Sequence, residues 1–380
     1  MSGALKRDEW EKVRLGDVCD VVSGSTPKTA NLEYWDGDIL WITPAELNED
    51  SHYIYDTTRK ITEAGRDSAS LTLLPQGTVL LSSRAPIGKV GIVGTEMCCN
   101  QGFKNLVCSP VIFNNYLFWF LKGKTAYLNS LGRGATFKEI SKGIVESIQI
   151  PLPPLDVQRR IADTLDKVTE LITLRKTQLK KLDELVKARF VELFGDPVSN
   201  PMGWKKEQLQ SNATLLNGRA YKQDELLDSG KYPVLRVGNF FSNRSWYYSD
   251  LELDDDKYCD NGDLLYAWSA SFGPRIWSGG KVIYHYHIWK VLVGENYNKQ
   301  FLCNLLDYVT ASLMGDTHGI GMMHLTKSGM EETEFIVPPL DLQNQFATFV
   351  EQTDKSKVII QQNLDTLEIL KESLMQEYFG

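Results

Sequence analysis

The chain repeats itself over almost its whole length. Pro153-Pro154-Leu155-Asp156 with Gln158 recurs 185 residues later as Pro338-Pro339-Leu340-Asp341 with Gln343, and Phe194-Gly195 recurs at that distance as Phe379-Gly380. Gly77 matches Gly262, Gly88 matches Gly273, Gly134 matches Gly319, and Ile140-Ser141-Lys142 matches Leu325-Thr326-Lys327 at the same shift. Nearer the start the shift is 194, pairing Trp10 with Trp204 and Gly24 with Gly218. One supersecondary plan used twice predicts two copies related by a pseudo-twofold axis. The first copy carries extra residues between Gly24 and Gly77. The polar stretch 48–66 reads as a surface loop that would hold them at little cost.

Each copy opens on short strand patterns bounded by turn signals. In the first these are Ile39 to Ile42, Val79 to Leu81, Val90 to Gly94 and Leu106-Val107; in the second, Val234 to Val237, Leu264 to Tyr266 and Val282 to Tyr284. One helical segment follows in each, Tyr116 to Leu131 and Phe301 to Met314, and then Ile148 to Ile150 or Phe335 to Val337 leads into the prolines. The fold class is therefore α+β, a mostly-β globule built twice.

A long helix should follow each Pro-Pro, with Asp156 as a candidate N-cap in the first. Leu165, Val168, Ile172, Leu179, Leu182, Val186 and Leu193 fall on heptad spacing. Val350, Ile360, Leu364, Leu367, Leu374 and Tyr378 form the second row. Two such stripes predict an antiparallel coiled-coil pair, roughly 45 Å long over about 30 residues. The alternative is two amphipathic helices, each packed on its own globule. If the copies are symmetric, Gly380 should lie close to Trp10, as Gly195 precedes Trp204.

A chain of 380 residues with 42% hydrophobic and 24% charged residues suits two or three soluble domains and excludes a disordered or rod-like whole. No apolar run reaches membrane-span length, and the polar start does not resemble a secretion signal. Six cysteines without Cys-x-x-Cys spacing fit reduced thiols in a cytoplasm. The net charge of −8 sits mostly in the second half, where residues 201–337 carry 13 basic and 17 acidic side chains. Phosphate binding needs only a local basic face, but the chain alone should hold DNA weakly.

Catalytic signatures are missing. Gly24-Ser25-Thr26-Pro27-Lys28-Thr29 lacks the Gly before its Lys that a phosphate loop needs, and no helix follows it. There is no Asn/Asp-Pro-Pro-aromatic motif and no glycine-rich adenosylmethionine loop. His285-x-His287 has no carboxylate or Cys partner at metal spacing and reads as surface or groove-facing. The sequence points to no catalytic residue, metal or cofactor on this chain.

Polar, glycine-bearing loops are the candidates for binding. Segments 82–89 and 268–275 combine small hydroxyls, Gly and Arg, which lets backbone approach phosphate while a guanidinium reads a base edge; a plain hairpin is the alternative. Gly132 to Lys142 and its counterpart through Lys327 suit phosphate clamping, or a solvated turn. Candidate DNA contacts are Arg84, Lys89, Lys104, Arg133, Thr136, Lys138 and Lys142 in the first copy. In the second they are Arg219, Arg236, Asn239, Arg244, Arg275, Lys290 and Lys327.

The doubled Ile-Pro-Leu-Pro-Pro-Leu-Asp-x-Gln-like run (Ile150 to Gln158; Ile336 to Gln343), the long helices ending Leu-Phe-Gly or Tyr-Phe-Gly, and Gly134-Ala135-Thr136-Phe137 with Ile140-Ser141 together resemble the specificity (S) subunits of type I restriction-modification systems. That resemblance implies target recognition domains at 1–150 and 198–337, each reading half of a bipartite double-stranded DNA site. Helical regions at 151–197 and 338–380 would space them and dock two methyltransferase (M) subunits. It further implies that the M subunits bring S-adenosylmethionine and methylate adenine, and that two restriction (R) subunits join to cleave foreign DNA with ATP. Two departures stand out: Met322-Met323-His324 replaces the more polar Phe137-Lys138-Glu139, and no Arg stands at the Arg84 position of the second copy. A competing reading is a bivalent protein-binding scaffold without DNA recognition.

Overall fold

The computed structural model describes residues 10–134, 138–242, 244–269, 271–315 and 326–380. Its contacts divide the chain into two compact units: residues 1–175 with 363–380, and residues 176–362.

In unit 1, β1 (Lys12–Arg14), α1 (Leu15–Val18), β2 (Cys19–Ser23), β3 (Trp35–Ile42), β4 (Tyr53–Ile54), β5 (Arg59–Ile61) and α2 (Glu63–Ser68) come first. Then follow β6 (Val79–Leu81), β7 (Val90–Val93), β8 (Cys98–Cys99), β9 (Lys104–Cys108), α3 (Asn114–Lys122), α4 (Thr125–Leu131), α5 (Lys142–Ser147) and β10 (Gln149–Pro151). The helix α6 (Leu155–Phe194) leaves this unit and ends in the other. Unit 2 adds β11 (Lys206–Gln208), β12 (Ala213–Asn217), β13 (Tyr232–Leu235), α7 (Val237–Phe241), β14 (Tyr247–Ser249), β15 (Tyr258–Cys259) and β16 (Leu264–Ser269). It continues with β17 (Ser271–Ile276), β18 (Val282–Tyr284), β19 (Ile288–Val293), α8 (Lys299–Gly315), α9 (Lys327–Glu332) and β20 (Glu334–Ile336). Finally α10 (Leu340–Phe379) runs back into unit 1.

The repeat holds at the level of strand register. Lys12 faces Pro151 where β1 meets β10, and Lys206 faces Ile336 where β11 meets β20. Cys19 opposes Cys108 between β2 and β9, as Ala213 opposes Val293 between β12 and β19. A parallel pairing joins Trp41 to Cys98 in one unit and Val234 to Ile283 in the other. The repeated glutamines explain why the sequence kept them. Gln158 Oε1 accepts from Phe113 N (2.7 Å), while its amide donates to Val111 O (3.1 Å) and Pro153 O (2.8 Å). Gln343 makes the same three bonds, to Asn298 N (2.8 Å), Asn296 O (3.0 Å) and Pro338 O (2.8 Å). Both side chains are fully buried, so every polar atom has to be satisfied.

Each unit buries its own core against both long helices. In unit 1, Tyr116, Trp119 and Phe120 of α3 pack with Ile161 and Leu165 of α6 and Phe379 of α10. Trp10 packs against this same large cluster, of which Phe379 is a member. In unit 2, Phe190 and Phe194 pack on Phe301 and on Phe346 of α10. Phe346 thus meets the end of α6, while Lys357 reaches back to Asp183 (2.7 Å), so the two helices run antiparallel within this unit. The reading of two helices confined to separate globules is excluded, because each contributes to both cores.

Three local expectations are corrected. The stretch 48–66 is not a plain loop: β4 extends the first sheet by pairing with β7, β5 pairs with β3, and Arg59 lies 3.6 Å over the Trp35 ring. His52 within it bonds Asn115 Oδ1 (2.6 Å), whose amide donates to Asp166 of α6 (2.5 Å), so buried partners order the extra segment. The segment 116–131 forms two helices: α3 is capped at Gly123, whose N donates to Trp119 O (3.0 Å), and α4 begins at Thr125. Asp156 is not the N-cap. Pro154 O takes the bonds from Val157 N and Gln158 N, and Asp156 instead pairs with Arg160 in the first turn.

Candidate nucleic-acid interface

In unit 1 the candidate cations gather on a carboxylate. Residues 133 and 139 form a tight backbone bridge (Arg133 N to Glu139 O 3.0 Å; Glu139 N to Arg133 O 2.9 Å), and Ile140 N donates to Ser83 O (2.9 Å). This brings Glu139 against segment 82–89 from 55 residues away, where Arg84 Nε donates to Oε2 (3.0 Å) and Lys104 Nζ to Oε1 (3.2 Å). Burial opposes ionisation of Glu139, but the hydrogen bonds and charges of Lys104 and Arg84 overcome it and hold the carboxyl below its usual range. Lys104 is buried and Arg84 exposed, as are Arg133 and Lys138 beside them. Thr136 lies outside the described residues.

Two first-copy candidates stand elsewhere. Lys89 donates to Pro44 O (3.0 Å) and Leu47 O (2.5 Å), which ties its ammonium to a backbone turn. Lys142 is exposed at the start of α5 and pairs with Glu146 (3.7 Å).

In unit 2 the gathering point is the short helix α7. Arg236 precedes it and lies 5.0 Å from the Tyr247 ring. Arg275 donates from Nη1 to Phe240 O (2.5 Å) and sits 5.6 Å from both the Phe240 and Phe241 rings. Asn239 donates to Arg244 O (2.8 Å) and Ser245 O (3.1 Å), so its amide shapes the turn that presents the exposed Arg244. The structure therefore brings Arg236, Asn239, Arg244 and Arg275 together. The guanidiniums of Arg236 and Arg275 rest on rings and a carbonyl, where that of Arg84 in the first unit rests on a carboxylate.

The remaining second-copy candidates are held in ion pairs. Arg219 forks onto Glu225 (2.9 and 2.7 Å), and that contact, with the Lys222 backbone bond, pulls the Glu225 carboxyl down to about 2. Lys290 pairs with Asp263 (2.7 Å) and donates to Tyr258 O (3.2 Å). Lys327 begins α9 and pairs with Glu331 (3.5 Å). Sequence reasoning missed these carboxylate partners because an acidic residue in a polar loop carries no sign of which cation it will meet.

The two polar segments also differ in build. Residues 268–275 belong almost wholly to a tight β-hairpin, Ser269 opposing Ser271 across β16 and β17. Residues 82–89 instead bulge between β6 and β7, closed by Ser82 N to Lys89 O (2.9 Å). The departure noted at Met322-Met323-His324 lies outside the described residues. Among the described residues no group of three or more His, Cys, Asp or Glu could hold a metal ion, and no helix is long and apolar enough to cross a membrane. All six cysteines are free thiols.

These features define a tandem-repeat α+β protein whose two copies share a frame and present unlike polar surfaces. The chain belongs to the family of the type I restriction modification DNA specificity domain, whose model matches it twice, at residues 7–184 and 201–368. It is 28% identical to the type I restriction enzyme MjaIX specificity subunit of Methanocaldococcus jannaschii, over 98% of this chain and 93% of the relative. The MjaVIII specificity subunit of the same organism is 24% identical over 99% and 93%. Two solved structures share the fold. One is the S subunit of a type I restriction-modification system from M. genitalium (15% identity, TM-score 0.61, 98% and 96% covered). The other comes from work on complex assembly and conformational transition of the type I R-M system (19% identity, TM-score 0.63, 97% of each chain).

Proposed function

We propose that this chain is the DNA sequence-recognition subunit of a type I restriction-modification complex and performs no catalysis of its own. Residues 1–150 and 198–337 act as target recognition domains, each reading one half of a bipartite double-stranded site. Residues 151–197 and 338–380 supply the helical spacer and the docking surface for two methyltransferase subunits, which carry S-adenosylmethionine. Two restriction subunits complete the cutting form and bring ATP. The complex works in the cytoplasm, where unmodified foreign DNA is encountered.

The observation that carries this reading is a duplicated, buried frame bearing two different cationic surfaces. Identical locks at Gln158 and Gln343 hold both units in one fold, while the Glu139 cluster and the α7 cluster share no side-chain pattern. A frame kept and a surface changed is what two half-sites of different sequence require. Arg84, Lys104, Arg133, Thr136 and Lys138 are the first contact set, with Lys142 apart from it, while Lys89, tied to backbone carbonyls, supports the fold instead. Arg236, Asn239, Arg244 and Arg275 form the second, with Arg219, Lys290 and Lys327 around it. The net charge of −8 leaves much of the nonspecific attraction to the partner subunits.

The test is co-expression with a methyltransferase subunit and mapping of methylated adenines. A two-part motif that changes in one half only when residues 1–150 are exchanged is expected. Absence of any motif would favour a protein-binding scaffold, and nanomolar binding of DNA by the isolated chain in physiological salt would refute the division of labour.

A further inference from the structure

One surface turn occupies the same cradle in both units and carries entirely different chemistry. In unit 1 it is Asn100-Gln101-Gly102, between β8 and β9; in unit 2 it is His285-Tyr286-His287, between β18 and β19. Four hydrogen bonds hold each copy. Asn100 N donates to Ile42 O (3.0 Å) as His285 N does to Leu235 O (2.9 Å). Gly102 O accepts from Ser83 N (2.7 Å) as His287 O does from Trp268 N (3.0 Å). Ser25 N donates to Cys99 O (3.0 Å) as Arg219 N does to Tyr284 O (3.0 Å). Across the turn, Gly102 N donates to Asn100 Oδ1 (2.9 Å) and His287 N to His285 Nδ1 (3.4 Å).

The matched glycines supply the closest part of the cradle. A Cβ at Gly24 would collide with the carbonyls of Cys99 and Asn100, and one at Gly218 with those of Tyr284 and His285. Each turn is thus backed by a strand end that only glycine lets approach, and its side chains are presented from a fixed backbone.

What projects from the two turns is unrelated. Gln101 is exposed and takes a hydrogen bond from Thr26. Tyr286 is 39% exposed and lies among rings: His287 at 3.9 Å, His285 at 4.5 Å and Trp268 at 5.9 Å between centroids. Lys104, paired with Glu139, begins β9 just after the first turn. Arg219, its guanidinium forked onto Glu225, meets the second turn through its backbone O, which accepts from Tyr286 N (3.0 Å). Burial, with the nearby charges of His287 and Arg236, keeps the His285 ring at about 4, hence neutral near pH 7.

We propose that these two turns are the base-reading tips of their units, Gln101 reading by amide hydrogen bonds and Tyr286 by apolar and stacking contact. The inference rests on the DNA-recognition function proposed above. Asn and Gln amides pair with the N6 and N7 edge of adenine, whereas a ring or apolar side chain meets a thymine methyl. The exposed cations, Arg133 and Lys138 in unit 1 and Arg244 in unit 2, take the phosphates and set the register. The half-site of unit 1 should therefore contain an adenine whose identity depends on Gln101, and that of unit 2 a position that depends on the Tyr286 ring.

The experiment uses the assembled specificity and methyltransferase subunits and reads the methylated motif for wild type, Gln101→Ala, Tyr286→Ala and Tyr286→Phe. Gln101→Ala should relax one position in one half, with roughly ten- to hundredfold loss of discrimination, and leave the other half intact. Tyr286→Ala should do the same in the opposite half, while Tyr286→Phe keeps the motif. Replacement of residues 285–287 by Asn-Gln-Gly is a second variant, expected to change the second half-site. An unchanged motif in the two alanine variants and this replacement, with methylation intact, overturns the inference. A wild-type complex that yields no two-part motif sinks the DNA reading itself.

Discussion

The two units solve one folding problem identically and one surface problem differently. Gln158 and Gln343 make the same three buried bonds to positions 185 residues apart. Yet Arg84 and Lys104 converge on Glu139, whereas Arg275 leans on Phe240 and Phe241, and Arg236 on Tyr247. Interior positions tolerate little change because a buried polar group left without its partner is costly. Surface positions answer to solvent and to whatever binds. Pairing with a carboxylate also differs in kind from resting on a ring, since a phosphate has to displace Glu139 to gain Arg84 fully, while Arg275 is held by Phe240 O and two rings.

The strongest way to break the likeness is to cut the shared locks. Gln158→Ala and Gln343→Ala should each destabilise their own unit by about 3 kcal/mol, since each leaves one amide N–H and two carbonyls unpaired. Chemical denaturation followed by hydrogen exchange in each unit would check this; a cost in only one unit would mean that the frame is not energetically repeated. Glu139→Gln sharpens the contrast. It should cost unit 1 about 1–2 kcal/mol, because Lys104 is left buried without its counter-charge.

Acid should separate the units further. The Glu225 carboxyl lies at about 2 in the folded chain against an ordinary 4.5, so the unfolded chain binds the proton first as pH falls. That contribution is complete above pH 4.5 and is lost as pH drops toward 2. Unfolding midpoints of wild type and Glu225→Gln should therefore converge over that window; parallel curves would show that the Arg219 fork contributes nothing. The smallest effects are expected at exposed cations. Lys138→Ala and Arg244→Ala should each weaken DNA binding by the assembled complex severalfold and lower its salt slope by about 1, without changing stability. Lys89→Met, whose ammonium is bonded to carbonyls, should instead lose stability and keep the salt slope.

Much of the fold could be read in the chain because periodic features report themselves locally. Strands at Val79–Leu81 and Val282–Tyr284 follow from short apolar runs between turn signals, and both long helices from their heptad rows. Stretch 48–66 was harder, since its order comes from distant partners: Trp41 N donating to Thr57 Oγ1, and Asn115 meeting His52. Among the candidate contacts, residue type marked cations correctly but not their state. Lys89, Arg219 and Lys290 looked like Arg133 and Lys138 until their acceptors came into view.

The amino-acid order alone fixed the duplication, because paired glycines, prolines and glutamines are constraints each position imposes on its own backbone or burial. Gly24 and Gly218 have to be glycine wherever that strand end meets its turn. Which cations remain open to a polyanion was settled only on folding, when side chains as far apart as Arg84 and Glu139 came within reach. Attraction between charges depends on their separation in space, and separation along the chain says little about it.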